Sequence, residues 1–365
     1  MTKNKSKDSK PPCRTKCLKN TDSPFSMSKK VTRKSKKSSL ENTQDNGVGS
    51  EGSMAMSADR HVCYAQSVQA ADAEVLNLIN MRKQISSSLN IPLALREDFC
   101  GTAVLSLEWC TSSVARTAYG IDNDTSVLSY AKKHTLATAE TQDAASRVNL
   151  VHGNVLTPRS QFKTRIPRVD IIAALNYGIC YFRTRKELVE YLCICKDGLK
   201  KGGCLIVDMY GGSDVYSVKG RTIIRKLRGF DYIFEQTGFN PMTNTVHINL
   251  HFHFKDNSWQ RNAFQYDFRV WTIPEVREAF HDAGFEKLNI WVASSSHSTT
   301  SLDDLDGIES GGEPSSGEEE KENGAGILSY RIVESDWIPQ LKRYNVYVVG
   351  CVEDGEETFS DQDYS

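Results

Sequence analysis

Several things are missing from this sequence, and each absence narrows its class. No apolar run approaches the roughly 18 residues that cross a bilayer, and the first residues hold no apolar segment of the signal-peptide kind. The expectation is a soluble chain of the cytoplasm or nucleus with no membrane partner. Ten cysteines are present, but no paired CxxC spacing marks a zinc site. Cys193 and Cys195, two apart, do not suit one face of a helix. Reduced, mostly buried thiols are therefore expected. The GxGxxG fingerprint of dinucleotide sites is absent too, which argues against a nicotinamide or flavin cofactor. No repeat or heptad pattern appears, so the oligomeric state stays open.

What is present is divided by charge. Net charge over the 365 residues is −1, yet residues 1–40 hold thirteen Lys and Arg against Asp8 and Asp22. Residues 1–57 have few large apolar side chains and read as a disordered basic tail, because they bury too little to offset ordering entropy. Within it, KKVTRKSKK (29–37) is a cluster that suits nuclear import or RNA contact. Residues 58–352 read as one folded domain. It carries an acidic, Gly- and Ser-rich disordered loop at 300–325, and an acidic tail follows at 353–365.

Within the domain, apolar strands alternate with amphipathic helices. Strands are expected at 92–98, 117–122, 148–153, 169–176, 203–210, 286–293 and 344–352, with a helix over 71–85 preceding them. VDIIAALN (169–176) is apolar at both phases of a period-two pattern, as a central parallel strand covered on both faces should be. This alternation predicts an α/β fold, a doubly wound Rossmann-like sheet of seven strands. Residues 221–270 break it. They read as three strands joined by turns, an antiparallel β insertion after strand five. A helix follows, with Pro274 in its first turn and Gly284 past its end.

Candidate chemistry gathers at the strand ends. In ALREDFCGTAVLSLEW (94–109) a strand delivers Glu97 and Asp98, then a turn with one glycine, Gly101, then a helix; that turn suits a polar ligand part. Asp122 ends the second strand, where an acid accepts from ribose hydroxyls. Asn154 ends the third, available to the edge of a base, and Asn176 and Tyr177 end the fourth. The ordered set is more specific than any member. His247, His251 and His253 share a strand face, but with no acid or cysteine at diagnostic spacing no metal site is assigned.

On these motifs the sequence resembles class I S-adenosylmethionine-dependent methyltransferases, over about residues 60–352. Glu97 matches the acid of the first motif and Gly101 its second glycine, while Phe99 and Ala103 replace the first and third. The FRVWTIPEVREAFHDAGF segment (268–285) and LKKGGCLIVDMY (199–210) resemble later elements of the family. REDFCGT looks characteristic of a subgroup. The resemblance implies S-adenosyl-L-methionine as cofactor, with Glu97, Cys100, Gly101, Thr102, Asp122, Asn123, Asn154, Val155 and Asn176 around it. It also implies Tyr64 and Gln69 folded over the site. Tyr177, Tyr181 and Tyr210 are further candidates for the pocket, since aromatic faces favour a sulfonium.

Methyl transfer needs alignment rather than a metal or covalent nucleophile, and no catalytic base is assigned. The fourth motif, AALNYGICYF, has neither the prolines of adenine-amino enzymes nor the Pro-Cys of pyrimidine-carbon enzymes. With the insertion roofing a pocket, this favours a small-molecule acceptor. Two other readings stand beside it: a non-catalytic binding protein that kept the fold, and an RNA-associated enzyme using its basic tail.

Overall fold

A computed structural model describes residues 52–162, 166–217, 220–294, 329–333 and 343–353. The basic cluster, the acidic loop at 300–325 and the acidic tail beyond residue 353 lie outside the described residues.

Five parallel strands form one side of the main sheet: β1 (Ala94–Asp98), β2 (Thr117–Asp122), β3 (Val148–His152), β4 (Val169–Ala174) and β5 (Leu199–Gly211). Beyond the insertion come β10 (Lys287–Ser294), β11 (Ser329–Ile332) and β12 (Tyr344–Cys351). The spatial order is β11-β10-β12-β5-β4-β1-β2-β3, and β12 runs antiparallel to both β5 and β10. The sheet thus has eight strands rather than seven. The extra one, β11, is a four-residue edge strand antiparallel to β10, too short to carry a period-two signal. All six residues of β4 are buried, which accounts for its apolar character at both phases; the one acid among them, Asp170, accepts from the Leu93 and Ala94 N–H groups and from Lys200.

Helices cover both faces. On one lie α3 (Ala71–Ile85), α4 (Val104–Thr111) and α6 (Gln142–Ser146). Leu78, Met81, Leu105 and Trp109 pack there against Leu95, Ile171 and Ile206. On the other lie α7 (Arg185–Gly198) and α8 (Ile273–Asp282), where Leu188, Leu192, Val276 and Phe280 meet Ile172, Leu205 and Val207. Capping boxes Thr184/Glu187 and Thr272/Glu275 start these two helices. Between β2 and β3, α5 (Thr125–Tyr130) runs on into a π-helical turn, Ala131–Leu136.

The insertion is a sheet of its own, with four strands instead of three: β6 (Arg221–Lys226), β7 (Phe230–Asn240), β8 (Thr245–Phe254) and β9 (Trp259–Arg269). The first expected strand divides at Leu227–Gly229. Gly229 there takes φ +107°, and Leu227 N–H donates to the Phe230 carbonyl, closing a hairpin. Val246, Ile248, Leu250, Phe252 and Phe254 of β8 and Phe268 of β9 lie in the core, with Phe264 and Tyr266 of β9 packed against it.

The folded part begins earlier than residue 58. Ser53 caps the short helix α1 (Met54–Ser57), and Ala55 is buried. Asp59 caps α2 (Arg60–Val68). These helices lie along the insertion: Ala55 N–H donates to Ser258 Oγ, and Gln260 Nε2 donates to the carbonyls of Ala55 and Ala58.

Candidate active site

The strand order reverses between β1 and β4, and at such a point the carboxyl ends of strands open onto a crevice where ligands bind. The β1–α4 turn lies there. Phe99, Gly101 and Ala103 take φ of 58°, 52° and 59°. All three glycine positions of the family pattern thus keep the left-handed backbone, although two carry side chains that ordinarily disfavour it. What holds them is packing. Ala103 is fully buried at the N-cap of α4, and its N–H donates to the Cys100 carbonyl. The Phe99 ring stacks on Tyr181 at 5.7 Å between centroids and lies against Gly178, where any β-carbon would meet it at 2.5 Å. A β-carbon on Gly101 would meet nothing within 4 Å, so its outer side is open.

The two acids of β1 separate by strand alternation. Asp98 turns inward and forms a bidentate ion pair with Arg96 at 2.7 and 2.9 Å, joined by the Tyr191 hydroxyl at 2.9 Å. Both residues of the pair are 1% exposed, so it is a fixture of the core. Glu97 turns the other way, and one of its oxygens, Oε2, accepts from Ser106 N–H and Oγ at 3.0 and 2.5 Å. Burial pushes its pKa up to about 7 against those two hydrogen bonds.

Asp122 ties β2 to the turn. Its Oδ2 accepts from Gly101 N–H at 2.9 Å and its Oδ1 from Asp124 N–H at 2.9 Å. Asn123 beside it is exposed, and its carbonyl meets His152 Nε2 at 3.2 Å. The Cys100 thiol packs under β2 against Gly120, so only its backbone belongs to the turn, and Thr102 is half-buried. After β3, Asn154 Oδ1 accepts from Leu156 N–H at 2.9 Å, and Val155 is buried.

After β4, Asn176 and Tyr177 form a left-handed pair, φ 55° and 64°. Their N–H groups both donate to one carboxylate, Asp208 of β5, at 3.0 and 2.7 Å. Burial raises Asp208 to about 7. The sequence reading passed over Asp208; the available signal was an acid inside the apolar run GCLIVDMY.

Tyr177 leads into a cluster of tyrosines. Its hydroxyl donates to Asn345 Oδ1 at 3.1 Å, and its ring lies 4.7 Å from that of Tyr210. Tyr64 of α2 packs on Phe264 at 5.1 Å and is within electrostatic reach of Tyr266, Tyr232, Tyr181 and Tyr177. Tyr64, Tyr177, Tyr181 and Tyr210 are therefore brought together, with Tyr232 and Tyr266 of the insertion added. Those two were missed because alternation alone does not say what a strand's face meets. Burial raises every one of these phenols above its ordinary value. Gln69 ends α2 with a buried Oε1 that has no hydrogen-bond partner.

The three histidines of β8 each face an acid on a neighbouring strand: His247 with Asp267 at 2.8 Å, His251 with Glu235 at 3.2 Å and His253 with Asp231 at 3.8 Å. Each acid comes from a different position on β7 or β9, so the three imidazoles do not converge. A groove of about 730 Å³ opens elsewhere, lined by Arg183, Asn244, Asp267 and Arg269 at the end of the insertion. No helix among the described residues is long and apolar enough to cross a membrane.

No protein-family model matches the sequence, and no curated protein matches it. Solved structures do. The chain is similar to an S-adenosylmethionine-dependent methyltransferase from Clostridium acetobutylicum ATCC 824, with TM-score 0.50 and 13% identity over 80% of this chain and 97% of that one. It is also similar to the CcbJ methyltransferase from Streptomyces caelestis, with TM-score 0.49 and 12% identity over 78% and 89% of the two chains. DesVI from Streptomyces venezuelae gives TM-score 0.48 and 14% identity over 64% and 90%. At these identities the likeness is one of fold. The chain has the α/β fold, with a large and mostly parallel sheet, that the clostridial methyltransferase carries.

Proposed function

We propose that this chain is a class I S-adenosylmethionine-dependent methyltransferase acting on a small-molecule acceptor. One observation carries the reading: four successive strand ends around the β1–α4 turn offer Glu97, Asp122, Asn154 and Asn176 at one edge of the sheet, in the order the family motifs require.

The residues suit the cofactor. Gly101 leaves its outer side open for close approach of a ligand, and a sulfonium nucleoside has no pyrophosphate to demand the two glycines that Phe99 and Ala103 replace. Asp122, already aimed at the turn, would accept from ribose hydroxyls. Asn154 and Val155 would flank the adenine edge, while Glu97 and Asn176 would flank the methionine part.

When bound, the cofactor supplies a methyl group on a positively charged sulfur, open to in-line attack by an acceptor lone pair. The protein's work is alignment and exclusion of water. Asp208 holds the Asn176–Tyr177 turn by two backbone hydrogen bonds, which fixes one wall. Tyr64, Tyr181, Tyr232 and Tyr266 supply a second wall of rings and hydroxyls. A phenol is protonated near neutral pH even without the upward shift that burial gives these four, so they would orient by donating hydrogen bonds and would not take the acceptor's proton. An acceptor with a free lone pair needs no base before attack.

Calorimetry of the full chain with S-adenosylhomocysteine tests the reading. Saturable binding is expected, and no heat at millimolar ligand sinks it.

A further inference from the structure

The edge of the main sheet opposite the candidate active site carries a second groove, of about 430 Å³, that the steps above leave unused. It lies where β5 begins and β12 ends, and its walls include Arg168, Cys193, Lys196, Asp197, Lys201 and Val352. Because β1, β4 and β5 are parallel, this end of β5 is the one far from Glu97.

Cations outnumber acids in the lining, and their partners can be followed one by one. Asp197 already accepts from Arg168 Nη2 at 3.0 Å and from Arg159 Nε at 3.3 Å. Lys196 Nζ donates to an uncharged partner, the Gly284 carbonyl. Lys201 is exposed and makes no ion pair among the described residues. Asp170, nearby in β4, is taken by Lys200 at 2.9 Å. Lys196 and Lys201 thus stand at the groove with no carboxylate of their own among the described residues.

Val352 brings the chain to the same place. Its N–H donates to the Gly203 carbonyl at 2.9 Å, and its carbonyl accepts from Gly202 N–H at 3.0 Å, so the backbone leaves β12 pinned to the groove wall. Glu353 is exposed. The twelve residues after it, DGEETFSDQDYS, hold five acids and no Lys, Arg or His.

We infer that the acidic segment 354–365 docks in this groove, with Asp354, Glu356 and Glu357 paired to Lys196 and Lys201. The inference is independent of the methyltransferase reading. Exposed ion pairs are individually weak and are screened by salt. Attachment is what favours this occupant over a free polyanion, since a segment that starts at the groove is present there at an effective concentration of about millimolar. Lysine ammonium groups are point charges, so they accept carboxylates without demanding one geometry. Once filled in this way, the groove is closed to other anions.

Backbone ¹⁵N relaxation of the full chain at low salt tests this. Glu356, Glu357 and Thr358 should show order parameters of about 0.85, as in a rigid backbone, falling below about 0.6 in Lys201→Glu and again in about 0.5 M sodium chloride. Lys201 is exposed, so its reversal should leave the β4 resonances unmoved. Ending the chain after Glu353 should shift the amide resonances of Cys193 and Lys201. Order parameters below about 0.6 in the unmodified chain at low salt overturn the inference. So does order that survives Lys201→Glu. Order in the full chain with Cys193 and Lys201 unmoved by truncation seats the segment elsewhere and overturns it too. A shift of those two resonances on adding oligouridylate RNA, with the order of the segment unchanged, gives the groove to a polynucleotide and overturns it as well.

Discussion

At the scale of single residues, Gly101 and Glu97 are the most exposed to test. A side chain at Gly101 meets no neighbour but forces a β-carbon into the left-handed region, where it costs about 1–2 kcal/mol. Gly101→Val should therefore fold, with a modestly lowered unfolding midpoint, yet lose measurable affinity for S-adenosylhomocysteine in calorimetry. Unchanged affinity would mean the turn is not where the cofactor lies. Glu97 makes a prediction about pH. Its folded pKa is about 7, whereas an unfolded glutamate ionises near 4.3. Between those values the folded state holds the extra proton. This contribution to stability is complete below the lower value and is lost as pH rises to the upper. The change amounts to about 4 kcal/mol. Urea unfolding at pH 5, 6 and 7 should show falling stability in the unmodified chain and a flatter profile in Glu97→Gln. Asp208, raised in the same direction, leaves a residual slope.

At the scale of elements, the post-β4 turn hangs on one carboxylate. Asparagine at 208 offers one acceptor oxygen and turns an amide N–H toward a backbone N–H. Asp208→Asn should thus cost about 1–3 kcal/mol in urea unfolding and weaken cofactor binding through the loosened Asn176 turn. This scale also shows what the sequence made legible. Helix α3 spans the expected 71–85, and the central strands fall within a few residues of expectation, because burial on one or both faces writes a period into the chain. The β6–β7 hairpin was not legible, since IIRKLRGFDYIF holds apolar residues on both sides of the turn and Gly229 alone marks it. Of the candidate site, the turn was legible where the backbone dictates geometry, at Gly101 and Asp122, which hydrogen-bond to each other. The site was not legible where one element answers another, as with Asp208 and the turn before it, or Tyr64 and Tyr266. Asp98 looked equivalent to Glu97 until alternation sent it under the sheet to Arg96.

At the scale of the whole molecule, α2 bridges the insertion and the main sheet. The Tyr130 hydroxyl, at the end of α5, donates to Asp59 at 2.8 Å, His61 packs on the Tyr130 ring at 4.4 Å, and Arg60 reaches the Ala263 carbonyl. Few strong contacts hold the helix on the main-sheet side, so it belongs among the segments that open locally. Tyr130→Phe should speed hydrogen exchange of the α2 amides and leave those of β4 unchanged; equal protection in both chains would contradict this. The insertion itself is attached differently. It leaves the main sheet after β5 and returns at Trp271, whose indole N–H donates to the Ile179 carbonyl at 3.1 Å while Arg269 lies over the ring at 3.8 Å. Among the described residues its ladder pairs only with itself. Such a sheet can be lengthened, shortened or replaced by recombination between its two joints without disturbing the register of the strands beneath, so its length and its surface are free to change at a rate of their own.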